Sequence, residues 1–581
     1  MSPFEVSVNG SRFQLWGRIP NGALVWASLH DGIHHAKEGY WSCPLYLLPE
    51  FLHVFRKHIN PTMLSNIEHR LSVRYLMEPE RKFPQFVVPS LLPHQKEGVR
   101  FILNRTRCFE LDQMGAMKTL QLLEASFELL RLHLIDRVLV VVTSSGQATW
   151  VDELRKWGFD DTSGLWKIPE AEKYVVLSAP YATIPMKMDG DYNFIISGFN
   201  LFSRDPSDDY VRAVIDDSRR RRYFIIVDEA HRIGNFQTNT ATNLMRFHAS
   251  WRVAMTGTPV GNRAEEVFSL QSFLEGGPAW GGYDRFASQF LVKQPRSLPN
   301  GKQVLHTVGY RNLDRLAASL VPVSIRRLKK DLAPDMPPIV SETRHVTLSE
   351  DESRIYEMLR KRFEAEVEEY HKGSIRARDL EMGAYSVCKQ FLAHPGLLAY
   401  SQSETAKKVY AEYIEGRSIP ASKFEEMLSL AEDILSGGEE RAVIFCDSPR
   451  LLHWLGERLP MGAWVGIDGD TSPSDRRMAQ DRFNSDPTCR FFLSSDAGTE
   501  SLNLPAEYAI HYTLPWSLTK LNQRTERCHR LNVKISVTSI RIIADTEDSM
   551  DHFISDILEK KAGLSTNLIE GIEKASVVVS R

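Results

Sequence analysis

The chain has 581 residues, of which 43% are hydrophobic and 25% are charged, and this composition excludes a mostly disordered, collagenous or fibrous protein. The 71 Lys and Arg residues nearly balance the 74 Asp and Glu residues, which leaves a formal net charge of −3. A histone-like coat of positive charge is therefore excluded, and any contact with nucleic acid must use local basic patches.

The first 88 residues predict a small β-rich accessory module. Short β-like runs cover Phe4–Val8, Arg12–Trp16 and Leu24–Ser28, and Asn-Gly pairs separate them. An Asn-Gly pair between such runs is the strongest short signal for a hairpin turn. We therefore place this β-rich module at residues 1–88.

From Leu91 onward, helical stretches alternate with short, solidly apolar runs. Continuous apolar runs are typical of strands that are buried on both faces of a parallel sheet, and helices between them form βαβ crossovers. The predicted strands are Arg137–Val142, Tyr174–Ser178, Asn193–Ser197, Tyr223–Val227, Arg252–Met255, Ala442–Cys446, Ala463–Ile467, Arg490–Leu493, Tyr508–His511 and Val537–Ile543. This pattern predicts an α/β fold with domains at residues 89–264 and 421–581, separated by a mainly helical insertion at 265–420.

The segment CFELDQMGAMKTLQLLEA has the layout of a phosphate-binding loop between a strand and a helix. Lys118 would reach the β- and γ-phosphates of a nucleotide, and the Thr119 hydroxyl would hold Mg²⁺. The strict pattern G-x-x-x-x-G-K-[ST] is not satisfied, because Asp112 and Met117 stand at its glycine positions and only Gly115 remains. Taken alone, the segment fits better with an amphipathic helix that exposes a lysine.

A second acidic motif, FIIVDEAHRIGN, changes this interpretation. Asp228 and Glu229 directly follow an apolar strand. A carboxylate at this position can hold Mg²⁺, and its neighbour can orient and deprotonate the attacking water. The alternative is that both residues cap the positive end of the next helix. The combination of the apolar strand, DEAH and a later TGTP favours a nucleotide site.

These motifs resemble, in order, those of the DEAD/DEAH-type superfamily-two helicases and translocases, and within them the Swi/Snf-type, chromatin-remodeller-like branch. The match covers roughly residues 90–550 and includes LLPHQKEGVRFIL, MTGTPVGN, SIRRLKKDLAPDMPPI and TLPWSLTKLNQRTERCHRLN. The resemblance implies two RecA-like parallel-sheet domains, a helical Swi/Snf-specific insertion, and ATP and Mg²⁺ as cofactors.

The resemblance also assigns roles to single residues. Lys118 and Glu229 would be catalytic, together with Arg527 and Arg530, which would stabilise charge on the γ-phosphate. The nucleotide-binding residues would be Gln95, which reads adenine, and Gln113, Met114, Gly115, Ala116, Met117, Lys118 and Thr119. The metal would be held by Thr119 and Asp228, and Thr256, Thr258 and Gln523 would couple the motifs. Met117 departs from the family pattern, which has a glycine before the lysine.

Nucleic-acid contacts are expected at strand ends and in one basic cluster. Short hydroxyl side chains at strand ends fit backbone phosphate contact, which carries little sequence preference. The family resemblance implies as candidates Thr143, Ser144, Ser197, Ser494 and Ser495, together with Arg326, Arg327, Lys329 and Lys330. For the separate run Arg219–Arg222, we favour a solvated surface loop over a binding role.

The sequence thus predicts an ATP-dependent, monomeric translocase on double-stranded DNA, with forked or branched DNA as a further substrate form. One alternative is a helicase that separates strands of RNA or forked DNA. Another is a DNA-binding scaffold whose ATPase activity Met117 has impaired.

Location can be predicted from the cysteines and from the absence of a long apolar segment. The six cysteines are scattered, with no C-x-x-C pair, which favours a reducing compartment. The N-terminal sequence lacks the apolar run of a signal peptide, and the apolar stretch at Val138–Val142 is too short to span a bilayer. We expect no membrane contact and a cytoplasmic location, in a bacterium or a virus-infected host cell.

Overall fold

The protein divides into two compact units. The computed structural model describes residues 5–9, 12–16, 19, 21, 23, 24, 27, 33–36, 40–44, 88, 91–158, 173–257, 263–297, 303–369, 375–495, 502–530 and 535–563. Of these, the first unit contains the residues up to Val292 and residues 307–328, and the second contains residues 293–306 and 329–563. Among the described helices, none combines the length and the apolar character that crossing a membrane requires.

The N-terminal residues form a four-stranded antiparallel sheet in the order β1-β2-β4-β3. Its strands are β1 (Glu5–Asn9), β2 (Arg12–Trp16), β3 (Ile33–His35) and β4 (Tyr40–Pro44). Phe13, Leu15 and Cys43 are fully buried in this sheet. The predicted β-rich character is therefore confirmed.

The predicted strand Leu24–Ser28 is wrong, because Ala23, Leu24 and Ala27 are helical. Ala23 and Ala27 are both completely buried. A short apolar run does not distinguish a strand from a buried helical turn by its periodicity.

The first unit contains a seven-stranded sheet in the order β13-β5-β10-β9-β6-β8-β7, and all its neighbouring strands are parallel. Its strands are β5 (Arg107–Glu110), β6 (Arg137–Val142), β7 (Tyr174–Leu177), β8 (Phe194–Gly198), β9 (Tyr223–Val227), β10 (Trp251–Met255) and β13 (Ser324–Ile325). All five strands predicted for this domain are present, whereas β5 and β13 were not predicted. β5 has only four residues and carries Arg107 and Glu110 at its two ends, so it lacks a continuous apolar run.

Helices cover both faces of this sheet. Along β6, Leu139 and Val141 pack into one buried cluster, while Val138, Val140 and Val142 pack into another. This alternation explains why the strand is apolar at every position from Val138 to Val142. The helices of the first unit are Pro93–Asn104, Lys118–Arg131, Gly146–Gly158, Ile184–Met188, Phe199–Phe202, Asp209–Arg220, Asn239–Arg246, Glu265–Glu275, Tyr283–Phe290 and Leu313–Leu320.

The second unit contains a six-stranded parallel sheet in the order β14-β19-β18-β15-β17-β16. Its strands are β14 (Val340–Thr347), β15 (Ala442–Phe445), β16 (Trp464–Ile467), β17 (Phe491–Ser494), β18 (Tyr508–His511) and β19 (Thr538–Asp545). The five predicted strands of this domain are present. β14 was not predicted, because it is an edge strand with a mostly exposed, polar sequence.

Helices surround the second sheet in the same way, since Val443 and Phe445 face one buried cluster and Ala442 and Ile444 face another. These helices are Lys329–Leu332, Glu350–Glu369, Ile375–Ala393, Glu404–Tyr413, Ser422–Ser436, Pro449–Arg458, Pro473–Ser485 and Leu518–Cys528, followed by helical residues 550–563. Two parallel sheets with flanking helices confirm the predicted α/β class.

The predicted helical insertion, residues 265–420, is divided between the two units, because its described residues within 293–306 and 329–420 belong to the second unit and the others belong to the first. It also contains strands: β13 joins the first sheet, β14 joins the second, and β11 (Leu291–Ser297) pairs with β12 (Gln303–Tyr310) in a separate two-stranded sheet. The strands of this pair are partly exposed and of mixed polarity, so their sequences lack the apolar signal of a buried strand.

Candidate functional site

Strand register places three of the predicted motifs side by side in the first unit. In the sheet, Met255 of β10 lies opposite Glu110 of β5, and Ala254 lies opposite Val227 of β9. Because the carboxyl ends of parallel strands lie at one edge of a sheet, the segments that follow these three strands are neighbours. These segments carry Thr256, Asp228 and residues 111–117, which lead into the helix that begins at Lys118 and which we call the Lys118 loop.

The loop before the helix Lys118–Arg131 contains two residues with left-handed backbone. Gly115 has a φ of 83°, and Met117 has a φ of 55° and a ψ of 48°. Glycine adopts this conformation without a steric penalty, whereas a side chain carrying a Cβ is strained there. The left-handed backbone explains why the family pattern has a glycine before the lysine. Met117 occupies that position at an energetic cost.

Lys118 is folded across this loop. Its Nζ donates hydrogen bonds to the carbonyl oxygens of Asp112, at 2.7 Å, and Gln113, at 3.3 Å. Lys118 and Thr119 are half-buried in the first turn of the helix, where backbone N–H groups have no partner within the helix. The loop thus combines an ammonium group, a hydroxyl and a helix N-terminus, which is the donor set that phosphate groups require.

Asp112 anchors the loop through an ion pair that the sequence did not reveal. The Arg327 guanidinium donates to both carboxylate oxygens of Asp112, with Nε at 3.0 Å from Oδ1, and Gln121 Nε2 donates to Oδ2 at 3.2 Å. Asp112 is completely buried. Burial opposes its ionisation, but the bonds and charge of Arg327 prevail and hold the pKa of Asp112 below its usual value.

Gly98 makes room for this network. A methyl group at Gly98 would overlap the side-chain oxygen of Gln121 and approach the Arg327 guanidinium at 2.8 Å. The glycine in LLPHQKEGVRFIL is therefore a packing requirement of the loop anchor.

Gln95 retains a donor for a ligand. Its side-chain oxygen accepts a hydrogen bond from the Leu92 backbone N–H at 2.8 Å, and the side chain is 1% exposed. Its buried Nε2 has no partner among the residues that the structure describes. A buried amide donor without a partner is energetically unfavourable unless a ligand binds it, and this fits the predicted contact with adenine.

Asp228 lies at the end of β9 and is held by two hydrogen bonds. Trp150 Nε1 donates to Oδ2 at 2.9 Å, and the Glu229 backbone N–H donates to Oδ1 at 2.7 Å. Burial, followed by repulsion from Glu229, raises the pKa of Asp228 to about 6, while the nearby Lys118 ammonium opposes the shift. Trp150 therefore orients the proposed metal ligand, a role that its sequence position did not indicate.

Glu229 also has left-handed backbone, with a φ of 49°, and its carboxylate lies 3.3 Å from His231 Nδ1. The oxygens of Asp228 and Thr119 are the hard ligands that Mg²⁺ prefers, so the residues fit this ion. Thr256 is buried, and its backbone N–H donates to the Glu110 carbonyl at 3.1 Å. Thr258 lies outside the described residues.

In the second unit, the helix Leu518–Cys528 and the residues after it carry the predicted arginines. Arg527 is 8% exposed, and Arg530 donates to the Leu502 carbonyl at 2.9 Å. Burial, followed by repulsion from Arg527, lowers the pKa of Arg530 to about 10, so the Arg530 guanidinium remains charged at neutral pH. Gln523 is half-buried on the same helix.

Two further ion pairs support this helix, and sequence reasoning identified neither. Arg524 donates to Asp447 Oδ1 at 2.8 Å and to the Thr513 carbonyl at 2.7 Å. Lys329 forms a buried ion pair with Glu526, and its ammonium also donates to a backbone carbonyl in the same segment. Only proximity in the folded chain identifies these partners.

The structure buries most of the predicted phosphate contacts at strand ends. Ser197 and Ser494 are completely buried, and their hydroxyls donate to the carbonyls of Gly198 and Ser495. Ser495 is 4% exposed, and the buried Thr143 hydroxyl accepts a hydrogen bond from the backbone of the following helix. Residues at the end of a buried strand remain within the core, so of these five candidates only Ser144 is exposed.

Most of the basic cluster Arg326–Lys330 has partners within the protein. The charges of Arg327 and Lys329 are neutralised by Asp112 and Glu526, and Arg326 is half-buried and donates to the Leu111 carbonyl at 3.0 Å. Lys330 alone in this cluster is exposed. The run Arg219–Arg222 lies at the surface with local partners, which are Arg219–Asp216, Arg221–Asp217 and Arg222–Asp136.

Comparison with known proteins agrees with this arrangement. Residues 94–397 match the SNF2-related domain, and residues 422–532 match the helicase conserved C-terminal domain. The chain is 25% identical over 509 residues to the CHD3-type chromatin-remodeling factor PICKLE of Arabidopsis thaliana, which covers 82% of this chain and 34% of that protein. It is 24% identical over 557 residues to an uncharacterized ATP-dependent helicase of Mycoplasma pneumoniae. That alignment covers 91% of this chain and 47% of the helicase.

A solved structure, the Sulfolobus solfataricus SWI2/SNF2 ATPase core in complex with dsDNA, matches with a TM-score of 0.36 and 20% identity, covering 86% of this chain and 98% of that one. The chain spans less than half the length of the two curated relatives described above. The match to the SNF2-related domain, however, extends over more than half of this chain. The chain therefore belongs to the SNF2-related family and carries its helicase-like ATPase domains.

Proposed function

We propose that this protein is an ATP-dependent translocase on double-stranded DNA. The observation that carries the proposal is the alignment of three strand ends in the first unit, which brings the Lys118 loop, Thr256 and Asp228 to one edge of the sheet. A phosphate-binding loop beside a carboxylate that can hold Mg²⁺ is the arrangement that nucleoside triphosphate hydrolysis requires.

In this proposal, ATP binds with its phosphates at the helix N-terminus behind Met117. Lys118 neutralises phosphate charge, and Thr119 and Asp228 hold Mg²⁺, which supplies further charge neutralisation when it is bound. Gln95 donates its buried amide to adenine. Glu229 orients the attacking water and accepts its proton.

Arg527 and Arg530 act as arginine fingers, the role that the family resemblance assigns to them. A guanidinium group contacts phosphate through two parallel hydrogen bonds and stabilises the charge that develops during transfer. The ion pairs of Arg524 with Asp447 and of Glu526 with Lys329 fix the helix that carries Arg527.

The relatives support DNA as the partner. They include chromatin-remodeling factors and the chicken Chromodomain-helicase-DNA-binding protein 7, which is 26% identical over 513 residues. With a net charge of −3 and few exposed candidates such as Ser144 and Lys330, the motor holds DNA through a limited number of phosphate contacts. Such a grip has little sequence preference and weakens with salt.

Displacement of a third strand from a DNA triplex tests translocation directly. We expect ATP-dependent displacement by the parent protein and none by the Lys118→Ala variant. Unwinding of forked DNA or RNA without triplex displacement would replace the proposal with the strand-separating alternative. Duplex binding without ATP binding would replace it with the scaffold alternative.

A further inference from the structure

Three potential metal ligands converge at the surface of the second unit. His345 lies on β14, Asp545 ends β19, and His552 lies in the helix at residues 550–563. His345 Nδ1 lies 3.0 Å from Asp545 Oδ1, and His552 Nε2 lies 2.6 Å from the same oxygen. The three ligand atoms all lie within 4.8 Å of one another. We call His345, Asp545 and His552 the histidine–aspartate trio.

Regular structure positions all three groups. β14 and β19 are parallel, and Thr347 of β14 lies opposite Asp545 of β19. His345 precedes Thr347 by two residues, so His345 lies on the same face of the sheet as Asp545. The helix that follows β19 brings in His552, whose ring stacks on that of His345 with centroids 5.8 Å apart. Convergence on one carboxylate oxygen is therefore built by two strands and a helix.

We infer that the histidine–aspartate trio binds a divalent transition-metal ion, and that Zn²⁺ fits it best. Two imidazole nitrogens and a carboxylate oxygen are typical zinc ligands. Mg²⁺ and Ca²⁺ require oxygen ligands, so the Mg²⁺ of the nucleotide site does not compete for these histidines.

The distances suit a small adjustment on binding. Ligand atoms bonded to zinc at about 2.0–2.2 Å in a tetrahedron lie roughly 3.4 Å apart. The trio therefore opens by about 0.8 Å at its tightest pair, His552–Asp545. Zinc takes the lone pairs of His345 Nδ1 and His552 Nε2, and each imidazole keeps its proton on its other nitrogen. The side chains of His345, Asp545 and His552 are 51%, 38% and 44% exposed, so water can complete the coordination.

Bound zinc would connect parts of the chain that are distant in sequence. His345 and Asp545 are 200 residues apart, and His552 attaches the helix that follows the sheet. A link that closes a long loop, and an ion that binds only the folded state, both favour the folded state. The site is a structural clamp in this account and contributes no step to ATP hydrolysis.

Zinc binding by the full chain tests the inference. The protein is dialysed against Zn²⁺ in buffer that contains excess Mg²⁺, and bound zinc and the melting temperature are measured. We expect one zinc per chain and a rise of roughly 5 °C in melting temperature at zinc about 100-fold above its dissociation constant. His345→Ala and His552→Ala each weaken binding by about tenfold or more, given the effect of losing a ligand or its support.

Two controls make the result specific. His453→Ala removes an exposed histidine elsewhere in the second unit and keeps full zinc binding. Asp545→Asn preserves the shape of the side chain but loses affinity, and the absorption spectrum of Co²⁺ bound to the unaltered protein reports mixed nitrogen and oxygen ligation without any substitution. The inference is overturned if the parent retains no zinc, or if His345→Ala and His552→Ala retain it as well as His453→Ala does.

Discussion

Arg327 and Lys329 lie close together in the chain, and each neutralises a carboxylate in a different compact unit. Arg327 pairs with Asp112, in the loop that precedes Lys118 in the first unit. Lys329 pairs with Glu526, next to Arg527 in the second unit. Only Leu328 separates the two cations along the chain, and the boundary between the units follows it. Each compact unit therefore has a motif carboxylate neutralised by the segment that links the units.

The two pairs differ in their surroundings. Asp112 is completely buried and is also bonded by Gln121, and its partner is a guanidinium that contacts both oxygens. The partner of Glu526 is an ammonium group, which is a point charge and is shared with a backbone carbonyl. A basic cluster near the motifs can therefore form ion pairs within the protein, so its charge alone does not identify a phosphate-binding surface.

The largest expected effect is on the ATPase rate, and it comes from a change that leaves the two ion pairs in place. Lys118→Ala removes the ammonium group from the phosphate loop but leaves both ion pairs intact. We expect the ATPase rate to fall by about 10³-fold or more, with an unchanged melting temperature. Steady-state ATPase assays beside the surface variant Lys408→Ala check this, and a Lys118→Ala variant with parental turnover would contradict the proposed site.

Breaking either pair is expected to affect stability strongly. Arg327→Ala leaves the Asp112 carboxylate buried without its cation, and Lys329→Ala does the same to Glu526, so each change should cost about 3–5 kcal/mol of unfolding free energy. Lys330→Ala, an exposed neighbour, should change it by less than about 0.5 kcal/mol. Denaturant unfolding measures the free energy of all three variants. Equal values for the three would show that the ion pairs do not stabilise the units that contain them.

The pH dependence of metal binding sharpens the account of the first unit. Asp228 binds Mg²⁺ as a carboxylate, and its raised pKa of about 6 means that protons compete as pH falls through that value. The apparent Mg²⁺ affinity should therefore fall about tenfold between pH 7 and pH 5. Trp150→Phe removes a hydrogen bond that favours the ionised form, so the midpoint should move to higher pH; a midpoint unaffected by Trp150→Phe would exclude this role for Trp150.

The smallest expected effect concerns Met117. Because its left-handed backbone disfavours a side chain, Met117→Gly should raise the unfolding free energy by about 1 kcal/mol. ATP affinity, measured with a fluorescent analogue, should be similar in the parent and in this variant. Binding by the glycine variant alone would favour the scaffold alternative.

Much of the fold could be predicted because buried parallel strands are apolar at most positions. Ten strands were identified on this basis, among them Arg137–Val142 and Tyr223–Val227, whose bounds agree with the structure. β5 and β14 were missed because one is short and polar at its ends and the other is an exposed edge strand. Apolar content does not identify such strands.

For the candidate site, the sequence predicted the motif residues but not what holds them. Lys118, Thr119 and Asp228 were identified because phosphate and Mg²⁺ require these groups at these positions. Trp150 and Arg327 were not identified as supports, because they lie 78 and 215 residues from Asp228 and Asp112, respectively. Burial at strand ends, which removes Ser197 and Ser494 from the surface, likewise emerges only when the sheet is assembled.

The most direct test of the central claim compares ATPase rates with double-stranded, single-stranded and forked DNA and with RNA, at two salt concentrations. We expect the strongest stimulation by duplex DNA, a clear loss of that stimulation at the higher salt concentration, and a rate lower by about 10³-fold or more for the Lys118→Ala variant with every ligand. ATP hydrolysis that duplex DNA fails to stimulate would contradict the proposal that this protein is a double-stranded DNA translocase.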